Sequence, residues 1–125
     1  MTTQARVSLS VVVPIYNNAD GLDELCDRLR GTLAAAGIED YEAIFVDDGS
    51  RDNSRDVLRR LCRQEPRMKL VRLTRNFGHQ FAITAGFDCS GGDAVLVMDG
   101  DLQAPPEVIP EFLAKWRQGY DVVYG

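Results

Sequence analysis

Two carboxylates stand one residue apart directly after the apolar run AVLVM, residues 94–98. They belong to Asp99 and Asp101, and the amide of Gln103 follows two positions later. Carboxylate and amide oxygens suit Mg²⁺ or Mn²⁺, cations that keep water ligands and bind substrate phosphates. Gly100 would let a phosphate approach the backbone closely. The stretch therefore predicts a metal and phosphate site, with a solvated Asp-Gly turn as the alternative.

Three other segments carry polar or aromatic side chains that could bind a nucleotide. In VDDGS (46–50), one carboxylate could accept a hydrogen bond from a base or ribose, while either acid could instead cap the following helix. In PIYNN (14–18), the ring of Tyr16 either stacks on a base or packs under the loop. In RNFGHQFA (75–82), Arg75 could neutralise a diphosphate. His79 could donate to phosphate or sugar, or make a local hydrogen bond.

Several other kinds of site are disfavoured because the sequence lacks their motifs. No P-loop GxxxxGK[ST], no GxGxxG fingerprint and no GxSxG nucleophile elbow is present. With one histidine and three scattered cysteines, no imidazole or thiolate metal cluster is expected. Cys26, Cys62 and Cys89 are predicted to be reduced core residues of a cytosolic protein.

The elements that must position these segments alternate between strand and helix. Strands are predicted over 7–16, 41–50, 68–73, 93–99 and 120–125. The first helix carries Leu22, Leu25, Leu29 and Leu33 and ends at Gly37. The second begins at Asp52 or Asn53, the third begins at Gly78 and has small residues for close packing, and the fourth runs from Pro105 through Trp116.

This alternation with short connections predicts a mostly parallel, doubly wound α/β sheet with flanking helices. Such sheets bind ligands at the carboxyl ends of their strands, near the point where the strand order reverses. The segments PIYNN, VDDGS and MDGDLQ all follow strands. We therefore expect them at one edge of the sheet.

Composition fits one soluble domain over residues 1–125. The chain is 45% hydrophobic and 26% charged, and its net charge of −5 argues against nucleic-acid binding. Residues 51–75 nevertheless hold nine basic and three acidic residues. This basic segment is either a solvated helix face or a surface that meets phosphates or anionic lipid headgroups. The first ten residues have no signal-peptide core, and no apolar run reaches the length of a membrane span.

Taken together, the motifs VVVPIYNN, VDDGS, RNFGHQFAITAGFD, SGGDAVLVMDGDLQAPPEVIPEF and GYDVVYG resemble the family 2 glycosyltransferases. The branch they are most similar to is the polyprenyl-phosphate glycosyltransferases, which use bactoprenol or dolichol phosphate. The resemblance runs from Ser8 to Gly125 with the motifs in order. It implies the GT-A fold, which is Rossmann-like, a nucleotide-diphospho-sugar donor, and Mg²⁺ or Mn²⁺.

The resemblance also implies roles for residues at matching positions. Pro14, Tyr16 and Asp48 would contact the nucleotide, with Asp48 at the base. The metal and diphosphate would be held by Asp99, Asp101 and Gln103. Relatives often carry glutamate after the YN pair, where this chain has Asn18.

The partners implied are a UDP-sugar, with UDP-glucose favoured over GDP-mannose, and a polyprenyl phosphate acceptor in cell-envelope polysaccharide synthesis. We expect a cytoplasmic location at the inner face of the membrane, with contact to the membrane surface. Family members are longer, so we expect a truncated, donor-binding part that lacks the catalytic residues of the acceptor half. An incomplete sheet would favour self-association.

Two alternatives stay open at this point. A receiver-like signalling domain would also cluster acids at strand ends, but it needs a lysine at a later strand end. The only lysine after MDGDLQ is Lys115, within the last predicted helix. A non-catalytic nucleotide- and metal-binding fragment of the glycosyltransferase fold is the stronger alternative.

Overall fold

The computed structural model describes residues 9–92, 94–98 and 123–124, with the backbone alone at 94, 123 and 124. Within these residues, strands and helices alternate as the sequence predicts. The elements are β1 (Leu9–Ile15), a 3-10 helix (Ala19–Gly21), α1 (Leu22–Ala35), β2 (Tyr41–Asp47), α2 (Ser54–Gln64), β3 (Met68–Arg72), α3 (His79–Cys89), β4 (Ala94–Val97) and β5 (Val123–Tyr124). The helix predicted from Pro105 lies outside the described residues.

The described strands form one parallel sheet in the order β3-β2-β1-β4-β5. This confirms the predicted parallel, doubly wound arrangement. The chain runs outward from β1 to β3 and then returns to the other side of β1. The strand order therefore reverses between β1 and β4, which is where such sheets leave a crevice for ligands.

Both faces of the sheet are covered by helices. Val11, Val13 and other alternate residues of β1 and β2 pack into a core with α1 and α2. Val12, Ile44 and Val46 face the opposite way and pack with Ala82 of α3. Every residue of β1 and β2 is buried. Two covered faces explain why these strands are continuous apolar runs rather than alternating ones.

Helix α3 lies very close to β1 because Gly86 has no side chain. A Cβ atom at Gly86 would be 2.3 Å from Cγ1 of Val12, closer than real atoms approach. The small residues that the sequence places in this helix therefore serve close packing, as predicted.

The second strand is shorter than predicted. It ends at Asp47 rather than at Ser50, because the chain turns sharply after Asp48. Gly49 has φ +71°, a conformation that favours glycine, and Oδ1 of Asp47 accepts a hydrogen bond from the Ser50 N–H at 3.2 Å.

A buried carboxylate lies at the amino end of the sheet, and the sequence analysis made no prediction for it. Glu42 is 3% exposed. Its Oε2 accepts hydrogen bonds from the Ser10 hydroxyl and the Gly91 N–H, both at 2.7 Å, and its Oε1 lies 2.6 Å from Nζ of Lys69. The Ser10 hydroxyl oxygen accepts the Gly92 N–H at 2.8 Å. These bonds join the first three strands to the segment after α3.

The pKa of Glu42 reflects two opposing effects. Burial alone would raise it, but the hydrogen bonds from Lys69, Ser10 and Gly91 outweigh burial and lower the pKa below its ordinary value of 4.5. The carboxylate form is therefore favoured in the folded protein.

The three cysteines are free in the structure, but they do not share one environment. Cys26 is buried, and desolvation raises its pKa to about 12. Cys89 is exposed, so the prediction of a core cysteine is wrong at that position.

Within the described part of the chain, no helix is both long enough and apolar enough to span a bilayer.

Replacing the buried carboxylate tests the Glu42 network. We expect Glu42→Gln to lower the free energy of unfolding at pH 7 by about 1–3 kcal/mol, because the amide presents a donor to groups that are themselves donors. The contribution of Glu42 is present above the unfolded-state pKa and is lost as the pH falls through the lowered folded-state pKa. Urea unfolding at pH 7 and below pH 4 measures both effects.

The exposed Glu39, which lies in the loop before β2, provides the matched control. Glu39→Gln should leave stability nearly unchanged at both pH values. Equal stability of the Glu42→Gln variant and the wild type at pH 7 would contradict the account.

Candidate functional site

The loops after β1, β2 and β3 lie at the same carboxyl edge of the sheet, and backbone hydrogen bonds continue between them. The Asp48 N–H donates to the carbonyl oxygen of Ile15 at 2.8 Å. The Leu73 N–H donates to the carbonyl oxygen of Asp47 at 2.9 Å. The structure thus brings PIYNN, VDDGS and RNFGHQFA together at this edge.

Asn17 joins the first loop to the second. Its φ of 54° is left-handed, a conformation that asparagine tolerates better than most residues. Its Oδ1 accepts the N–H groups of Arg51 and Asp52 at 2.8 and 3.3 Å. Its own N–H donates to the Ser50 hydroxyl at 3.0 Å. The sequence analysis missed this role, for which asparagine after a strand is the only signal.

The start of α2 is held by Asp52 rather than by either acid of VDDGS. Oδ1 of Asp52 accepts the Ser54 N–H at 2.9 Å, and its Oδ2 accepts the Ala19 N–H at 3.2 Å. Burial alone would raise the pKa of Asp52, but hydrogen bonds from the Ser54 side chain and from the Ser54 and Ala19 N–H groups outweigh burial and lower the pKa. Asn53 occupies the N-cap position without a side-chain bond. The Ser54 hydroxyl also accepts the Asn18 N–H at 3.0 Å.

Asp48 is buried at the centre of the edge, and it faces the third loop. It is 4% exposed. Its Oδ1 accepts the Phe77 N–H at 2.8 Å, and its Oδ2 accepts the Gly78 N–H at 3.1 Å and lies 3.3 Å from Nδ2 of Asn76. The helix-capping alternative for Asp48 at α2 is therefore not what the structure shows. Contact between Asp48 and a base stays a prediction.

Tyr16 and Pro14 occupy different environments at the end of β1. Tyr16 is 42% exposed, so it does not pack under the loop and its ring is accessible for stacking. Its N–H donates to Oδ1 of Asn18 at 2.9 Å. Pro14 is buried within β1, and its contact with a nucleotide stays a prediction.

Arg75 is held by an aromatic stack at the third loop. Its guanidinium carbon lies 4.2 Å from the centroid of the Phe77 ring. That ring stacks on Phe81 of α3, with the two centroids 4.8 Å apart. Cation–π contact therefore restrains an exposed arginine at the edge where ligands are expected. His79, the first residue of α3, is exposed beside it.

The fourth strand delivers the chain to the same edge. The Met98 N–H donates to the carbonyl oxygen of Val12 at 2.9 Å, directly beside the reversal of strand order. The predicted metal ligands Asp99, Asp101 and Gln103 lie outside the described residues, so that site stays a prediction. Within residues 9–92 and 94–98, no group of three histidine, cysteine, aspartate or glutamate side chains is arranged to hold a metal ion.

The basic segment 51–75 is partly neutralised by neighbours. Nη2 of Arg60 lies 3.0 Å from a carboxylate oxygen of Asp23. Arg67 pairs with Glu65 at 3.7 Å and also lies over the ring of Tyr41. The remaining arginines that are exposed are Arg51, Arg59, Arg63, Arg72 and Arg75.

Comparison with known proteins agrees with this arrangement. Residues 10–125 match the family described as glycosyl transferase family 2. The chain is 47% identical over 119 residues to an uncharacterized glycosyltransferase, YkcC, of Bacillus subtilis. The matched region covers 95% of this chain and 36% of that protein. It is also 47% identical over 118 residues to the undecaprenyl-phosphate 4-deoxy-4-formamido-L-arabinose transferase of Pseudomonas syringae. That match covers 92% of this chain and 34% of that protein. The chain thus spans about one third of the length of these curated relatives.

Solved structures share the fold. A mannosyltransferase from Pyrobaculum calidifontis in complex with GDP-Man and Mn²⁺ matches with a TM-score of 0.73 and 26% identity, over 89% of this chain and 32% of that one. TarS 1–349 of S. aureus in complex with UDP-GlcNAc matches with a TM-score of 0.69 and 24% identity. This match covers 90% of this chain and 32% of that one. The implied GT-A fold is therefore confirmed.

Gly49 tests whether the second and third loops must touch. A Cβ atom there would lie 2.3 Å from the carbonyl carbon of Arg75 and 2.4 Å from the Asn76 nitrogen, at a φ of +71°. We expect Gly49→Ala to lower the free energy of unfolding by about 1–3 kcal/mol, because both strain and overlap must be relieved. Urea unfolding measures the loss.

Gly31, on the exposed side of α1 with no atom near its missing Cβ, is the control. Gly31→Ala should stabilise the protein by about 0.5–1 kcal/mol because alanine favours the helix. Stabilisation of both variants would show that the two loops do not touch as described.

Proposed function

Because this chain belongs to glycosyl transferase family 2, we propose that it is the donor-binding part of an inverting glycosyltransferase that transfers a sugar to a polyprenyl phosphate lipid. The observation that carries the proposal is the junction of three strand-end loops beside the reversal of strand order, with Tyr16 and Arg75 exposed there. A relative named for undecaprenyl phosphate supports the acceptor class.

The described residues give this edge the chemistry that a nucleotide diphosphate requires. The accessible ring of Tyr16 would stack on the base, and Pro14, which is buried within β1, would also contact the nucleotide. The guanidinium of Arg75 would meet the diphosphate through charge-assisted hydrogen bonds. His79 would contact phosphate or sugar from the start of α3. Asp48, which is 4% exposed just past the end of β2, would contact the base.

Asp99, Asp101 and Gln103 would hold Mg²⁺ or Mn²⁺, since their oxygens are the ligands that these cations prefer. The mannosyltransferase of the same fold was solved with Mn²⁺, which supports a divalent cation. When bound, the metal would stabilise negative charge on the departing nucleoside diphosphate.

The acceptor chemistry explains why no acid/base pair is needed at this edge. A lipid phosphate is already anionic near neutral pH, so it can attack the anomeric carbon with little help from a base. The two carboxylates of DGD would then act as ligands rather than as the acid and base of a glycosidase.

We favour UDP-glucose over GDP-mannose as the donor, because RNFGHQFA and MDGDLQ resemble the bactoprenol branch of the family. The competing nucleotide is GDP, because the mannosyltransferase of known structure binds GDP-Man. The two nucleotides differ in their bases, so a direct comparison of affinities separates them.

The lipid acceptor suggests where the protein works. We propose a cytoplasmic location at the inner face of the membrane, with the exposed arginines of the basic segment 51–75 near anionic headgroups. Self-association through the edge strand β3 belongs to the same proposal.

A second candidate uses the same edge of the sheet for binding alone. In this alternative the chain binds nucleotide and metal but does not transfer sugar. A transfer assay with a polyprenyl phosphate separates the two candidates, since only the first predicts turnover.

Calorimetric titration of UDP and GDP, with and without Mn²⁺, tests donor binding. We expect UDP to bind more tightly than GDP, and Mn²⁺ to strengthen UDP binding by about tenfold or more, as expected for a charge-assisted contact to phosphate. Asp101→Asn should remove that gain because it removes a metal ligand.

Asp88→Asn, an exposed change on α3, is the matched control and should retain the full effect of Mn²⁺. Failure of the wild type to bind either nucleotide would overturn the donor-site proposal. An equal effect of Mn²⁺ on the wild type and the Asp101→Asn variant would overturn the metal assignment.

A further inference from the structure

Helix α2 carries three arginines along one side. Arg55, Arg59 and Arg63 follow one another at intervals of four residues, which places each about one turn beyond the last on the same side of the helix. At the rise of an α-helix they span roughly 12 Å. Arg59 and Arg63 are exposed, and Arg55 is half-buried. We refer to these three residues as the arginine stripe.

The next arginine in the chain, Arg60, lies on a different side of the helix. Its Nη2 is 3.0 Å from a carboxylate oxygen of Asp23 on α1, so that side of α2 faces α1 and its charge is neutralised. Successive residues of an α-helix are about 100° apart around the axis. Arg59 and the rest of the stripe therefore lie on the side of α2 that turns away from α1.

The charge of the stripe is not cancelled by ion pairs. Within residues 9–92 and 94–98, no carboxylate pairs with any of its three arginines. Asp52, before the helix, accepts backbone N–H groups, and Glu65, after it, pairs with Arg67. The helix itself has four arginines and one acid, Asp56, so positive charge is in excess on its outer surface.

The stripe begins at the edge of the sheet where the donor is proposed to bind. The residue before Arg55 is Ser54, whose hydroxyl accepts the Asn18 N–H of the first loop at 3.0 Å. From there α2 packs along β2 and the edge strand β3. A surface that contacts the stripe therefore also lies beside the carboxyl edge of the sheet.

We propose that the arginine stripe binds the anionic surface of a lipid bilayer, with α2 lying along that surface. The inference rests on the proposed function, whose acceptor is a lipid phosphate. Contact through the stripe would hold the donor edge next to the membrane that contains the acceptor. It narrows the contact from the whole basic segment 51–75 to one side of one helix.

Charge and composition favour a bilayer over a nucleic acid as the partner. The chain has a net charge of −5, so a polyanion that wrapped around it would meet repulsion, whereas a flat surface meets one side alone. Helix α2 has no aromatic residue on which a base could stack. Each arginine close to an anionic bilayer is expected to raise the affinity about fivefold, and the attraction is screened by salt.

Flotation with vesicles made of equal parts of phosphatidylcholine and phosphatidylglycerol tests the proposal. The full chain should bind these vesicles, should not bind vesicles of phosphatidylcholine alone, and should dissociate as salt is added. The triple variant Arg55→Gln, Arg59→Gln, Arg63→Gln should bind about a hundredfold more weakly, since three separate charges are lost. Its affinity for UDP should be unchanged.

Arg59→Gln and Arg60→Gln form a matched pair, because they remove the same charge from neighbouring positions of one helix. We expect Arg59→Gln to weaken vesicle binding about fivefold. Arg60→Gln should change it less than about twofold, because that arginine faces α1 and is already paired with Asp23. Urea unfolding of both variants checks that the fold is retained.

Equal losses in the two variants would show that binding follows net charge and not the stripe, and would overturn the inference. A triple variant that loses UDP affinity would overturn it too, since the arginines would then serve the nucleotide. So would binding of an RNA oligonucleotide through the stripe without binding to vesicles.

The two proposals can fail separately. A wild type that binds UDP but not the anionic vesicles overturns this inference alone. A wild type that binds neither UDP nor GDP overturns the proposed function. In that case vesicle binding that is lost in the triple variant still supports the stripe as a membrane-binding surface.

Discussion

Strand β2 carries a buried carboxylate near each of its ends, and the placement of α3 depends on both. Glu42 at the amino end accepts the Gly91 N–H just after the helix, and Asp48 just past the carboxyl end accepts the Phe77 and Gly78 N–H groups just before it. Between these contacts, Gly86 lets the helix lie against Val12 of β1. A helix fixed at both ends and in the middle cannot slide along the sheet, so the loop that precedes it is fixed as well.

This constraint connects the fold to the candidate site. A buried carboxylate without partners is costly, whereas one that accepts several N–H groups specifies a single arrangement of the segments that donate them. The two acids therefore act at opposite ends of β2 in the same way, since each buried carboxylate accepts N–H groups from a segment next to α3. Glu42 secures the packing of the sheet, while Asp48 brings the third loop, with its exposed Arg75, to the edge where the first two loops already meet.

The sequence predicted an element correctly where a local residue pattern alone determines the strand or the helix start. Mostly apolar runs predicted β1 and β2, because strands covered on both faces carry apolar side chains that face both ways. The glycine of RNFG correctly marked the start of α3. The end of β2 was predicted only approximately, because the strand stops at Asp47 and VDDGS then forms a local turn, with φ +71° at Gly49 and the Ser50 N–H bonded to Oδ1 of Asp47.

The polar partners could not be predicted in the same way. Glu42 stands in an apolar run, and only the fold brings Ser10, Lys69 and Gly91 around it. Asp48 was recognised as important from its motif, but its contacts are backbone N–H groups, which every residue other than proline has. The residue types in the sequence therefore do not show which N–H groups will bind the carboxylate. The exposure of Tyr16 was likewise open until the loop around Asn17 was placed.

The central claim is that a nucleoside diphosphate binds at the carboxyl edge of this sheet. Amide chemical-shift mapping by NMR, with UDP added in the presence of Mg²⁺, tests it most directly. The account predicts shifts concentrated at Tyr16–Asn18, Asp48–Ser50 and Arg75–Gly78, with little change at Gly91 and Gly92 on the opposite edge. Shifts centred on Gly91 and Gly92, or no shifts at the three loops, would contradict it.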